Sequence, residues 1–243
     1  MLCNRDESRQ RPPALPPIRA RFGEHMAIMP VDQSSGGTWI AVNDAGLCAT
    51  LLNWNRQRSA KWEDGLGGQP VPDGVSPASR GEVIPHLLSA GSVAEAAAML
   101  EAWDMPRFMP FRLVLHSSTE HACVAYADGK YEVTSDDAAT RKAVMYTSSG
   151  MGDDLVERPR RELFDAMFRG DDLPAVQSRF HRHRWADRGE LSVCMSRADA
   201  MTVSLTQVDV GPQRVSMTYW PKPPSERSAP AMAALTRHSG AAS

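Results

Sequence analysis

The sequence is short of several features that would name a function class outright. No strand-like run is followed by a Gly-x-Gly-x-x-Gly or a phosphate loop, so a nucleotide-binding fold has no support. The four cysteines, Cys3, Cys48, Cys123 and Cys194, include no Cys-x-x-Cys pair. Scattered in that way, they read as reduced thiols rather than as a disulfide framework or a zinc site. No apolar run approaches the ~18 residues of a membrane span. The start carries no apolar signal-peptide core, and the expected compartment is the cytoplasm. A net charge of -2 over 243 residues gives no electrostatic reason to expect nucleic acid or an anionic membrane as a partner. With 42% hydrophobic and 23% charged residues, the chain can bury a substantial core without staples.

What is present begins with the most polar stretch of the chain, Cys3 to Pro12, centred on Asn4-Arg5-Asp6-Glu7. It reads as the downstream half of a strand and turn that lines a pocket. Residues 11–34 read as irregular, because Pro12, Pro13, Pro16 and Pro17 lack N–H donors and fix φ. Two β-rich runs then flank Asn43-Asp44-Ala45-Gly46, which is hairpin chemistry. The second run is apolar on both faces, so it predicts a strand covered on both sides and ending at Asn53. Residues 54–78 predict a long loop. A helix opens at Ser79-Arg80-Gly81-Glu82, and another at Ser92 with Glu95 in the capping-box position. Strands follow at 111–117, 121–127, 130–134 and 144–149, the third reached through an Asp128-Gly129 turn. Helices over 154–168 and 173–181 come next, then strands over 191–195, 201–208 and 214–220. In the first of these helices, Leu163, Phe164 and Met167 face the core, and Arg158, Arg160 and Arg161 the solvent. Residues 222–243, rich in Pro, Ser and Ala, predict a disordered tail. Antiparallel neighbours with helices in pairs predict an α+β layered fold, with residues 1–221 as a single domain.

Several residue types could carry chemistry. His181-Arg182-His183 has two imidazoles but no matching third ligand, and the segment is basic; it reads as a solvated loop, and no metal site is predicted. Cys48, Cys123 and Cys194 lie in apolar runs, where a thiol behaves as a small hydrophobe. Cys3 beside Arg5 is different, but N-terminal-nucleophile chemistry needs the cysteine's own α-amino group as base, and Leu2 precedes it. Arg80 at a helix start opposes the dipole; three readings stay open, a pair with a carboxylate such as Asp6 or Glu7, an anionic ligand, or a simply exposed Arg. Asn53 and Thr147-Ser148-Ser149 stand at strand ends, where they can donate to a developing oxyanion or cap loops.

Taken together, Asn4-Arg5-Asp6-Glu7 with Arg11-Pro12, Gly36-Gly37-Thr38-Trp39-Ile40, Gly46-Leu47 leading to Leu52-Asn53, Ser79-Arg80-Gly81 and Thr147-Ser148-Ser149 resemble the NRDE family, that of the transport and Golgi organization 2 proteins. The resemblance runs from residue 3 to about 221. The late Ser192-Val193-Cys194-Met195 and Thr202-Val203-Ser204 fit its bacterial members. It implies an αββα sandwich of two antiparallel sheets between helix layers, of N-terminal-nucleophile-hydrolase type. Members usually open with Met-Cys and a strand before the tetrad, so the expected nucleophile is absent from this chain, which looks N-terminally shortened. A more distant likeness is to choloylglycine-type amide hydrolases. Asn4-Arg5-Asp6 and Asn43 through Asn53 fit that outline, and Ser148-Ser149 stands where those enzymes have asparagines.

Two functions follow from the resemblance. One is a cysteine-dependent hydrolase of C–N bonds that has lost its nucleophile strand. The other is a non-enzymatic binding protein for a hydrophobic, acyl-lipid or haem-like ligand. In either case the partner is a small molecule, no cofactor is called for, and the pocket candidates are Asn4, Arg5, Asp6, Glu7, Trp39, Asn53, Arg80, Ser148 and Ser149.

Overall fold

The computed structural model describes residues 1–55, 78–103, 108–127, 130–137, 143–169 and 173–238. Most of the predicted 54–78 loop and the Asp128-Gly129 turn lie outside them. Strands β1 (Leu2–Ser8), β2 (Leu15–Phe22), β3 (His25–Val31), β4 (Ile40–Asn43) and β5 (Cys48–Asn53) come first. Helices α1 (Val83–Leu87) and α2 (Val93–Glu101) follow, then β6 (Phe111–His116), β7 (Glu120–Ala127) and β8 (Lys130–Asp137). Helices α3 (Asp153–Met167) and α4 (Leu173–Arg182) precede β9 (Ala200–Val210), β10 (Arg214–Trp220) and β11 (Ala231–Thr236).

The strands form two antiparallel sheets. The larger is a meander from β2 to β8 in chain order; the smaller has the order β1, β9, β10, β11. Strand alternation divides the side chains of β5 between two cores. Cys48 joins Ile28, Ile40, Val42, Val208, Val215 and Met217 between the sheets. Ala49 faces the opposite way, into a cluster with Val83, Ile84, Leu87, Val93, Ala96 and Leu100 of α1 and α2. On the far side, α4 packs on β1, and α3 and α4 share a smaller core of Met145, Phe164, Phe180 and Val193. The result is an α+β, αββα sandwich. The Ser92 cap forms as its spacing implies: its hydroxyl accepts from Glu95 N at 3.1 Å, and Glu95 accepts from Gly91 N at 2.7 Å.

Four expectations need correction. Residues 11–34 are not irregular but contain the β2–β3 hairpin. Pro16 and Pro17 sit at a register shift between Leu15 and Ile18, on the edge strand of the sheet, where a missing N–H removes no ladder bond. The supposed tail contributes β11, which pairs with β10 from Arg214↔Thr236 to Tyr219↔Ala231. Its small residues hid it, since an edge strand needs only one apolar face. Residues 144–149 and 191–195 are not strands, because side chains take their carbonyls. Arg161 bonds Met145 O at 3.1 Å, Arg112 bonds Thr147 O at 3.3 Å, Arg160 bonds Leu191 O at 3.0 Å and Ser192 O at 2.7 Å, and Asn4 bonds Val193 O at 2.9 Å. Arg160, assigned to solvent, is therefore buried.

One backbone crossing sets the relation of the large sheet to the helix layer above it. Gly37 lies against Gly81, so a Cβ at Gly37 would stand 2.5 Å from the Gly81 carbonyl, while Thr38 N donates to Gly81 O at 3.1 Å. Gly37→Ala should therefore lower stability by about 1–3 kcal/mol through overpacking. Gly91→Ala, whose Cβ would meet only side-chain atoms at 3.5 Å, is the control. Thermal unfolding of the two variants checks this, and an unchanged Tm for Gly37→Ala would contradict it.

Candidate functional site

β1 is the last strand of the smaller sheet, and a cavity of about 860 Å³ wraps its open edge. Because side chains alternate, the polar tetrad does not act as one cluster. Cys3, Arg5 and Glu7 face the larger sheet, whereas Asn4 and Asp6 face α3 and α4. A register shift between Arg5 and Asp6 bends the strand where the two sets part.

On the sheet side, Arg5 is buried with its guanidinium 4.5 Å from the centre of the Trp39 ring and paired with Asp32. Arg11 adds two bonds of 2.9 Å to the same carboxylate, and Glu7 lies 3.4 Å from both guanidiniums. Burial alone would raise the Asp32 pKa. Hydrogen bonds from Arg11 and Ser35 and the charges of Arg11 and Arg5 outweigh it and hold the group at about 2. Cys3 faces the Thr50 hydroxyl at 3.7 Å. Burial pushes its thiol up to about 11 against the opposing Thr50 hydrogen bond, with Asp6 adding to the rise and Arg5 subtracting.

On the helix side, Asn4 donates to His181 O at 3.0 Å and to Val193 O, which ties β1 to the end of α4. His181 Nδ1 lies 3.3 Å from Asn4 Oδ1, and burial drives its pKa down to about 4, so the ring is neutral. It is part of the cavity wall, not of a solvated loop. Asp6 accepts from Thr202 Oγ1 at 2.6 Å. It lies deep in the fold yet keeps an open surface toward the cavity. Crowding by protein raises its pKa, opposed by Arg160, by the Thr202 bond and by Arg197. Arg160 also donates to Thr147 Oγ1 at 2.6 Å.

Of the residues singled out from the sequence, Asn4, Arg5, Asp6, Glu7, Trp39, Asn53, Arg80 and Ser148 line the cavity. Ser149 does not: its N–H donates to Asp153 at 2.8 Å and its hydroxyl accepts from Met151 N at 3.1 Å, closing the turn before α3. Arg80 pairs with neither Asp6 nor Glu7; among the described residues its one hydrogen bond goes to Pro110 O at 3.0 Å. Sequence reasoning missed Asp32, Arg160, His181 and the aromatic wall of Phe164, Phe168 and Phe180. For Arg160 the signal was available. It falls on the same α3 stripe as Val156 and Phe164, four residues from each. His121 and Tyr146, 2.7 Å apart, complete the wall with His116. Among the described residues, no group of three or more His, Cys, Asp or Glu could hold a metal ion.

A family model described as Transport and Golgi organisation 2 matches residues 1–166. The chain belongs to this family. All the tetrad, the Gly37–Gly81 crossing and the Ser148-Ser149 turn fall within the matched span. Among solved structures, 39 chains match. One is a mutant of conjugated bile acid hydrolase from Clostridium perfringens, at 13% identity and TM-score 0.47, covering 95% of this chain and 86% of that one. No curated protein matches. No described helix of this family member is long and apolar enough to cross a membrane.

The raised Cys3 pKa makes a direct prediction. Its thiolate fraction at pH 8 should be on the order of 100-fold below that of an ordinary thiol. Alkylation by iodoacetamide, followed by peptide mass spectrometry, should be correspondingly slow at Cys3 and should climb as pH rises toward 11. Fast labelling at pH 7 would show that the thiol is activated after all.

Proposed function

We propose that this chain binds an amphipathic small molecule in the cavity at the edge of β1, without turning it over. The observation that supports this reading is the division of the cavity wall. One part carries Arg5, Glu7, Arg11, Asp32 and Arg80; another carries Met145, Phe164, Phe168 and Phe180. Phe164 and Phe168 stack at 4.2 Å, and Phe180 meets Phe164 edge-on at 5.6 Å. Concave sites with an apolar wall and a few polar groups are how proteins hold small ligands. A hydrocarbon body belongs against the aromatic part and a polar end near β1.

A second reading, hydrolysis of a C–N bond, is favoured by the place of Cys3 on the same wall, with Arg5 on the same face of the strand. Three features weigh against it in this chain. The α-amino group of Cys3 is in peptide linkage with Leu2 and cannot serve as base, and burial holds the thiol protonated. Asp6, the nearest cavity carboxylate along β1, faces the opposite side of the strand.

Titration with Nile red, an uncharged apolar dye, should give saturable fluorescence enhancement. Phe168→Ala should weaken it about fivefold, since an aromatic contact of this kind is worth roughly 1 kcal/mol. Incubation with N-dodecanoylglycine, assayed for released amine, should show no turnover. Saturable turnover abolished by Cys3→Ala would replace the binding reading with the hydrolytic one, and absence of dye binding would remove the binding reading.

A further inference from the structure

One guanidinium in the cavity wall, that of Arg80, is left without a carboxylate partner among the described residues. The other guanidiniums of the cavity are matched: Arg5 and Arg11 share Asp32 and Glu7, and Arg160 is held by two carbonyls and a hydroxyl. Arg80 spends one N–H on Pro110 O and, among the described residues, has no carboxylate within ion-pair distance. A buried donor left unsatisfied is expensive, and more so when it carries charge.

The backbone sets where Arg80 stands. It precedes Gly81, which packs against Gly37 and whose carbonyl accepts from Thr38 N at 3.1 Å. The crossing tolerates no Cβ at Gly37, so this stretch of backbone is held in place before any ligand arrives.

We infer that Arg80 forms the head-group site for a monoanionic carboxylate, the body of which lies along Phe164, Phe168 and Phe180. This rests on the binding reading above and names the class of ligand: a hydrophobic carboxylic acid. A carboxylate fits because guanidinium and carboxylate are planar and pair through two bonds. A dianionic phosphate fits less well, because Glu7 lies near enough to act electrostatically on Arg80 and would repel a second negative charge. A neutral ester or alcohol leaves the guanidinium charge unmatched.

Displacement of Nile red from the wild-type protein by dodecanoate, methyl dodecanoate and dodecyl phosphate tests the inference. Dodecanoate should bind about tenfold or more tighter than its methyl ester, a difference of 1.4 kcal/mol or more. Arg80→Gln should bring the acid-to-ester ratio to about one. Equal affinity of acid and ester for the wild type would overturn the head-group site while leaving dye binding intact. Tighter binding of dodecyl phosphate than of dodecanoate would overturn the monoanion assignment. Because the ester comparison is made on the wild type, a variant that fails to fold does not rescue the proposal.

Discussion

Asp32 is the residue on which the geometry around the cavity depends. It follows β3 directly, and its carboxylate receives Arg5 from the smaller sheet and Arg11 from the chain that leaves β1. It also accepts the backbone N–H groups of Ser34 and Ser35 at 3.0 Å each. One side chain therefore ties the edge strand of one sheet to the other sheet and shapes the turn that follows. That turn needs Gly36 at φ 70, and it delivers Gly37 against Gly81. The position of Arg80 is thus inherited, through four residues of turn and one backbone crossing, from a single carboxylate. A buried ion pair is a weak source of net stability, because desolvation offsets much of its attraction. Its value here is geometric: removing the carboxylate would strand two guanidiniums and release the turn together.

The cavity exists because β1 is an edge. An inner strand would have both flanks covered by backbone ladders, whereas β1 leaves one flank and parts of both faces open. The walls that approach this flank come from segments that resemble strands in composition but do not pair as strands. Residues 143–149 and 191–195 present their carbonyls to Arg112, Arg160, Arg161 and Asn4 instead. Side-chain donors of this kind satisfy a buried backbone without extending the sheet, and so leave room beside it. Arg160 is the clearest case: its guanidinium joins α3 to the segment before β9 and stands within electrostatic reach of Asp6.

The sequence reveals the parts of this fold that follow local rules. The Asn43–Gly46 turn, the Ser92 cap and the doubly covered β5 each depend on residues close together in the chain, and each forms. Long-range substitutions of side chain for backbone leave no such trace. Asn43 illustrates the boundary. Its turn chemistry is plain, yet its fully buried amide also donates to Leu88 O and Ala90 O, joining the sheet to α1. Prolines hid β2 because edge strands are exempt from the rule that excludes proline from sheets. At the site, the tetrad pointed to a strand that lines the cavity, and the alternation along that strand sends Arg5 and Asp6 to opposite faces. Arg80 was legible as an anomaly, a cation at a helical start, without a means to see that it has no counter-ion among the described residues.

Burial acts on the cavity's titratable groups in one direction, toward neutrality, except where a partner opposes it. Cys3 is held protonated, His181 deprotonated, and Asp6 is moved toward its neutral form. Asp32 alone among these is pulled the other way, by two guanidiniums. The middle of the wall is therefore poor in charge, while charge is concentrated beside β1 and Arg80. The pattern is a polarity gradient running from a cation to stacked aromatic rings. A gradient of that kind orients a molecule with unlike ends, and orientation is what a binding site of this shape can supply.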